Sequence, residues 1–182
     1  MKSDGKNAPL DNVAFQDAIA IIEHARENAF RAVNHELISM YWEIGHYISK
    51  KVVVDNWGKF VVQEFSRFIQ SRFVGIKGFP SQNVWRMQQF YETYAENEKL
   101  STLSRELSWS NNVLIMVAAK TNAEREFYLL LTRQNNYSKR ELERQIDSGL
   151  YERTMISAEK NQLLIARNAG LTARVCGNRG SG

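Results

Sequence analysis

The chain has 182 residues and a formal net charge of +4, with 43% hydrophobic and 24% charged residues. That balance is typical of a globular domain and excludes wholesale disorder. A single cysteine excludes an internal disulfide framework and a cysteine-rich zinc site. No long apolar run is present and the first residues are polar, so we expect a cytoplasmic protein with neither a membrane span nor a secretion signal.

The positive charge is unevenly distributed along the chain. Residues 1–100 carry 12 Lys+Arg and 12 Asp+Glu, so the remaining 12 basic and 8 acidic residues put the whole excess in residues 101–182. A second basic zone, residues 59–86, contains five basic residues and only Glu64 as an acid. Basic zones attract phosphate groups, although a solvated surface explains so mild an excess equally well.

Residues 1–9 are predicted to be a flexible leader, followed by a long helix from about Leu10. Apolar residues recur there every three or four positions, and no proline interrupts them for about forty residues. So long a pattern is typical of a helical arm or a dimer seam, and Gly45 within it is compatible with close helix packing. We therefore expect a homodimer. The residues predicted to form its seam are Ile22, Val33, Leu37 and Ile44.

Two more helices are predicted after a break at Asn56-Trp57-Gly58. The first covers about residues 59–73, and a turn with two glycines and a proline follows it. Ser81 is then placed to cap the second helix, over about residues 82–94. The residues of the first helix predicted to face inward are Phe60, Val61, Phe65, Phe68, Ile69 and Phe73.

This pair of helices is also a candidate for DNA binding. The capped helix would present polar side chains to base edges, while neighbouring cations would contact phosphates. A helix pair buried in a core explains the same pattern as well. The candidate contacts are Arg72, Lys77, Gln82, Asn83 and Arg86.

Beyond a polar linker at residues 95–100, residues 103–113 have the pattern of a helix-turn-helix. A short helix and a tight turn are followed by a serine cap and a helix that opens with polar residues. In such a unit the second helix reaches base edges with its N-terminal side chains. Asn111 and Asn112 would project there, and asparagine can pair with adenine in the major groove. A generic pair of helices shares this pattern.

Three helices are predicted in the remaining sequence, over about residues 122–134, 139–146 and 150–169. Ser138 and Glu141 have the spacing of a capping box before the second of them. Gly149 is placed to end that helix. The last residues, 173–182, are predicted to be a disordered tail. The basic side chains of the second helix, which would face either phosphate or solvent, are Lys139, Arg140 and Arg144.

The chain offers few residues suited to catalysis. Its three histidines, His24, His35 and His46, are eleven residues apart. On a helix this places them near one face but about 16 Å from each other, too far to share a metal. Motifs of nucleotide-binding proteins, zinc proteases and serine hydrolases are missing from the sequence. We expect no catalytic residue, no metal and no cofactor.

Several motifs, in this order, resemble the N-terminal domain of the YhcG family. They are YWEIG at residues 41–45, KGFPSQNVWRM at 77–87, LSWS at 107–110, REFY at 125–128 and YSKRELERQIDSGLYER at 137–153. The resemblance covers about residues 12–172. It implies a helical, winged-helix-like region that is followed, in full-length members, by a PD-(D/E)XK nuclease domain.

The chain leaves the family's pattern at Arg174, where its relatives lead onward into the nuclease. Its adjacent Glu-Lys pairs, at residues 98–99 and 159–160, lack the carboxylate-x-lysine spacing of such a nuclease. Without that carboxylate set, nothing would hold Mg²⁺ for phosphodiester hydrolysis. We therefore expect that this chain is not an enzyme by itself, and that a nuclease domain or a full-length relative is a candidate partner.

These observations predict an all-α protein with a helical domain at residues 10–172. A helical arm and hairpin would occupy residues 10–94, and helix-turn-helix or winged-helix-like units residues 101–172. The favoured function is DNA binding and targeting in a restriction-type or genome-defence nuclease system. The alternative is a dimerisation or partner-docking module that does not contact DNA.

Overall fold

A computed structural model of the chain describes residues 12–162, with side chains from Phe15 onward. The described residues form helices and no strand, which confirms the all-α prediction. A β-wing is therefore not found within this range. The predicted leader at residues 1–9 and tail at residues 173–182 lie outside the described residues.

Seven helices have both ends within the described range. They are α1 (Asn12–Asp55), α2 (Lys59–Arg72), α3 (Ser81–Tyr94), α4 (Glu98–Arg105), α5 (Trp109–Ala118), α6 (Asn122–Asn135) and α7 (Lys139–Asp147). A further helical segment begins at Leu150 and continues to residue 162, the last described. The chain divides after Tyr91 into two compact units. None of the described helices is long and apolar enough to span a bilayer.

The core of the first unit is built on the C-terminal half of α1 and on α3. Trp42 of α1 meets Phe90 of α3 edge-on, with 5.7 Å between the ring centroids, and both side chains are buried. A Cβ atom added at Gly45 would collide with the carbonyl oxygen of Met87. Gly45 thus permits the close approach of two helix backbones, which confirms the packing role predicted for it.

The helix α2 packs with a different face from the one predicted. Val62 and Ser66 are its buried residues. The Ser66 hydroxyl and the Gln70 amide donate to the carbonyl oxygen of Phe79, at 2.6 and 2.9 Å, so the polar side of α2 holds the loop that follows. The prediction of an inward phenylalanine face is wrong for three residues that are more than half exposed, Phe60, Phe68 and Phe73.

The second unit is a cluster of short helices. The helix α4 packs against α6, and α5 packs against both α6 and α7. Each of α4 to α7 has an N-cap side chain that accepts a backbone N–H of the first turn, from Asn97, Ser108, Thr121 and Ser138 respectively. These caps satisfy N–H groups that a helix leaves unpaired, so the helix starts are fixed locally. The core residues of this cluster include Leu100, Leu103, Ile115, Tyr128, Leu129 and Leu142.

The N-terminal half of α1 is packed against nothing in the described chain. Every side chain from Phe15 to Val33 is exposed, and burial begins at Ile38. The predicted seam residues therefore differ in their surroundings. Ile22, Val33 and Leu37 are exposed, whereas Ile44 is half-buried in the first unit.

Candidate nucleic-acid interface

The start of α7 is fixed by the capping box predicted from the sequence. The Ser138 hydroxyl accepts the N–H of Glu141 at 3.4 Å, and the Glu141 carboxylate accepts the N–H and the hydroxyl of Ser138 at 2.9 and 2.8 Å. The backbone hydrogen bond from Ser138, followed by the hydroxyl bond, holds the pKa of Glu141 below its ordinary value. The first turn of α7 is therefore well defined.

The turn that leads into α7 has three residues and is fixed as well. Asn136 adopts a left-handed conformation, with φ of 49°, and ends α6. The N–H of Tyr137 donates to the carbonyl oxygen of Thr132 at 3.1 Å. The carbonyl oxygen of Tyr137 in turn accepts the Asn111 amide at 2.9 Å. Asparagine tolerates this conformation better than most residues, so the turn follows from the local sequence.

The helix α7 carries three exposed cations, of which Arg140 and Arg144 lie opposite its buried residue Leu142, while Lys139 is in the first turn, one turn before Leu142. We call Lys139, Arg140 and Arg144 the α7 basic face. Among the described residues, no carboxylate lies within ion-pairing distance of these three cations. Three acids, Glu141, Glu143 and Asp147, are also exposed on α7. The face is thus a set of unpaired cations on a rigid helix, which can bind an anion such as phosphate.

The prediction that Asn111 and Asn112 project outward is wrong, because both side chains are buried. The Asn112 amide donates to the carbonyl oxygen of Ser104 at 2.8 Å, and more weakly to that of Leu107 at 3.3 Å. These bonds hold the turn between α4 and α5. The physical reason is that α5 packs against both α6 and α7, so these two side chains of its first turn face protein and not solvent.

The first unit holds the other predicted contacts. Arg72, Lys77 and Gln82 are exposed, and Arg86 is half-buried. Asn83 is buried and donates to the carbonyl oxygen of Gly78 at 2.6 Å, so the prediction that it is presented to a ligand is wrong. Its amide secures the loop between α2 and α3.

Two of the three histidines contact neighbouring side chains of the first unit. His24 lies within hydrogen-bond distance of Asn28, at 3.3 Å on one exposed helix face, and His46 stacks on Tyr91 with 4.6 Å between centroids. Over the part of the chain that the structure describes, no three His, Cys, Asp or Glu side chains are grouped so that they could hold a metal ion.

The sequence reasoning missed the three-residue turn between α6 and α7 as a helix-turn-helix candidate. It placed the helix-turn-helix at α4 and α5, because that segment has a serine cap and polar residues. A signal for the later pair was present in Asn136, which stands two residues before the Ser138 cap. Asparagine just after a helix is typical of a left-handed helix end.

The fold and the site define an all-α domain of short, capped helices with an exposed basic helix face. The chain matches the DUF1016 N-terminal domain over residues 17–153 and belongs to that family. It is 25% identical over 194 residues to the putative nuclease YhcG of Escherichia coli (strain K12), a match that covers 89% of this chain and 51% of the relative. The chain spans about half the length of that curated relative, and no solved structure matches it.

Proposed function

We propose that this chain is a DNA-binding module that targets a nuclease of the YhcG type. The observation that carries the proposal is the α7 basic face, three unpaired cations on a helix whose start is locked by its own capping box. A rigid helix holds its side chains ready for phosphate, so little freedom is lost on binding.

We further propose that α5, α6 and α7 act as a helix-turn-helix unit in which α7 faces DNA. In support, α6 and α7 are joined by a three-residue turn, and α5 packs against both. In helix-turn-helix proteins the helix after the turn enters the major groove, with its N-terminal residues on the bases. Lys139 and Arg140 occupy that N-terminal position in α7.

The part played by a nuclease is also a proposal. The relative is named a putative nuclease, and only its N-terminal domain is matched by this chain. We propose that cleavage belongs to a domain beyond the matched region, and that residues 17–153 place that domain on its target.

Fluorescence anisotropy of the purified chain with labelled duplex, single-stranded and branched DNA, at about 50–200 mM salt, tests DNA binding. Each Lys or Arg that neutralises a phosphate contributes about 0.9 to the slope of log affinity against log salt. Arg140→Ala and Arg144→Ala should each weaken binding and lower this slope by about 1.

Arg133→Ala is the matched control, since Arg133 is an exposed arginine of the same unit that is paired with Glu106 at 3.2 Å. It should leave both affinity and slope unchanged. Arg72→Ala and Lys77→Ala report separately on the first unit. Absence of binding at the lowest salt, or equal losses in Arg133→Ala and Arg140→Ala, would contradict the proposal.

A further inference from the structure

The exposed half of α1 carries an apolar stripe that continues the buried face of the same helix. Its six apolar side chains are between 36% and 70% exposed. Further along α1, Tyr41 and Ile48 take up the same row and are buried in the first unit. We call the exposed part the arm stripe. It consists of Phe15, Ile19, Ile22, Arg26, Phe30, Val33 and Leu37.

The spacing of the residues in the arm stripe is the same from either end. Its steps are 4, 3, 4, 4, 3 and 4 residues, with Arg26 at the centre. Positions 15, 26 and 37 are eleven residues apart, a period of about 3.67 residues per turn that keeps the stripe almost straight along a helix. A straight stripe with mirror-symmetric spacing fits a second copy of itself that runs the opposite way.

We propose that the α1 arms of two copies pair in antiparallel orientation about a two-fold axis at Arg26. Phe15 then faces Leu37 of the second copy, Ile19 faces Val33, and Ile22 faces Phe30, and the symmetry repeats each contact. The paired segment is about 33 Å long, from the rise of 1.5 Å per residue. An isolated helix that is exposed to water on all sides is marginal, and this pairing covers its apolar stripe.

Charge and size also match in this register. Glu23 lies three residues before Arg26, one helical turn away, and supplies counter-charge to the two guanidinium groups at the centre, while Glu27 is paired with Arg31. On one edge of the stripe, Ala25 of one copy comes beside Ala29 of the other, which allows close approach.

Parallel pairing fits less well, for two reasons. It would set Phe30 against Phe30 and Phe15 against Phe15, where the antiparallel register sets each against a smaller aliphatic residue. It would also bring two copies of the packed region from Ile38 to Ile48 to the same end of the pair, whereas antiparallel pairing places them at opposite ends.

The first test compares two neighbouring isoleucines. Ile22 lies on the arm stripe, whereas Ile21 is 71% exposed and lies on the other side of the helix. In sedimentation velocity at tens of micromolar, the full chain and Ile21→Asp should be dimers, and Ile22→Asp should be a monomer with unchanged near-ultraviolet circular dichroism, which reports the tryptophan and tyrosine residues of the folded units. A monomeric wild-type chain, or equal dissociation by both variants, would overturn the proposal.

The second test fixes the direction of the helices and does not depend on whether an aspartate variant folds. In a Cys176→Ser background, which removes the single native cysteine, Ile22→Cys and Phe30→Cys proteins are prepared separately. Mixing them under oxidation should give a disulfide-linked heterodimer, because antiparallel pairing brings these two positions together. Self-linking of Ile22→Cys with no heterodimer would show a parallel pair and overturn the proposal. Arg26→Cys should link to itself.

Discussion

At Gly45 the backbone of α1 lies so close to α3 that a methyl group would overlap the carbonyl oxygen of Met87. The position of the methyl group is fixed by the backbone of α1 and the oxygen belongs to the backbone of α3, so neither can turn aside. We expect Gly45→Ala to lower the free energy of unfolding by about 1–3 kcal/mol or more, measured by urea denaturation. Gly58→Ala is the control, since an added Cβ would meet nothing within 4 Å there. If Gly58→Ala changed the free energy of unfolding by more than about 1 kcal/mol, the cost at Gly45 could not be assigned to its contact with Met87.

Asn112 gives a second prediction for a single residue. Its buried amide donates to backbone carbonyl groups, which alanine would leave without that partner. We expect Asn112→Ala to cost about 1–3 kcal/mol in urea denaturation. Asn135→Ala removes a bond of similar length, 2.9 Å to the carbonyl oxygen of Leu131, but in an exposed place where water replaces it. Equal costs in the two variants would show that burial is not the cause.

The asparagines also show where sequence reasoning fails for single residues. A polar pair in the first turn of a helix has the same pattern whether that turn meets DNA or meets protein. For Asn111 the acceptor is Tyr137, a residue 26 positions later. Only the folded chain brings these two residues together, so no local pattern could have assigned Asn111 to the interior.

For the helix α7, the capping box makes a prediction about pH. The pKa of Glu141 is lowered in the folded state, so its contribution to stability is complete above the ordinary value of 4.5 and is lost as pH falls through the folded pKa. We expect Glu141→Gln to lower the melting temperature near pH 7, with the difference from the unmodified chain shrinking as pH falls below about 4.5 and through the folded pKa. Glu143→Gln, an exposed change outside the box, should show no such trend. A constant difference for Glu141→Gln would contradict the prediction.

Helix positions were predictable from the sequence because capping and breaking residues act locally. The starts of α5 and α7 and the break between α1 and α2 are found where serine, glycine and asparagine signals predict them, and α6 begins at the predicted residue, with Thr121 as its cap. The exception is α4, whose first turn falls within the predicted linker, where Asn97 is the cap. The buried face of α2 was not predictable from periodicity, because hydrogen bonds to Phe79 decide it.

For the whole molecule, the contrast between the two halves of α1 can be followed by amide hydrogen exchange. Residues 38–48 include the core side chains, whereas residues 15–33 have all their side chains exposed. Backbone protection in an unsupported helix is low, and a partner raises it by mass action. We expect protection of residues 15–33 to rise with protein concentration and that of residues 38–48 to stay constant. Protection independent of concentration in both segments would contradict arm pairing.

The candidate site was predictable in part, because capping residues and charged residues can be recognised in the local sequence. Lys139, Arg140 and Arg144 could be identified from the sequence because they belong to a short polar helix whose start is marked by a capping box. The packing that holds α7 in place could not be predicted from the sequence, because it depends on contacts of α5 with both α6 and α7. The identity of the three cations is thus visible in the local sequence, whereas their position is fixed only in the folded unit.

The division of the chain after Tyr91 also separates its chromophores. Trp42, Trp57 and Trp85 belong to the first unit, and Trp109 is the single tryptophan of residues 92–182. In the first unit, Trp57 lies near Tyr47 and Phe65, with ring centroids 5.9 and 6.0 Å away. With excitation selective for tryptophan, Trp109→Phe would leave emission from the first unit alone. Subtracting its emission from that of the unmodified protein would isolate the signal of the second unit, so each unit can be followed optically without cutting the chain.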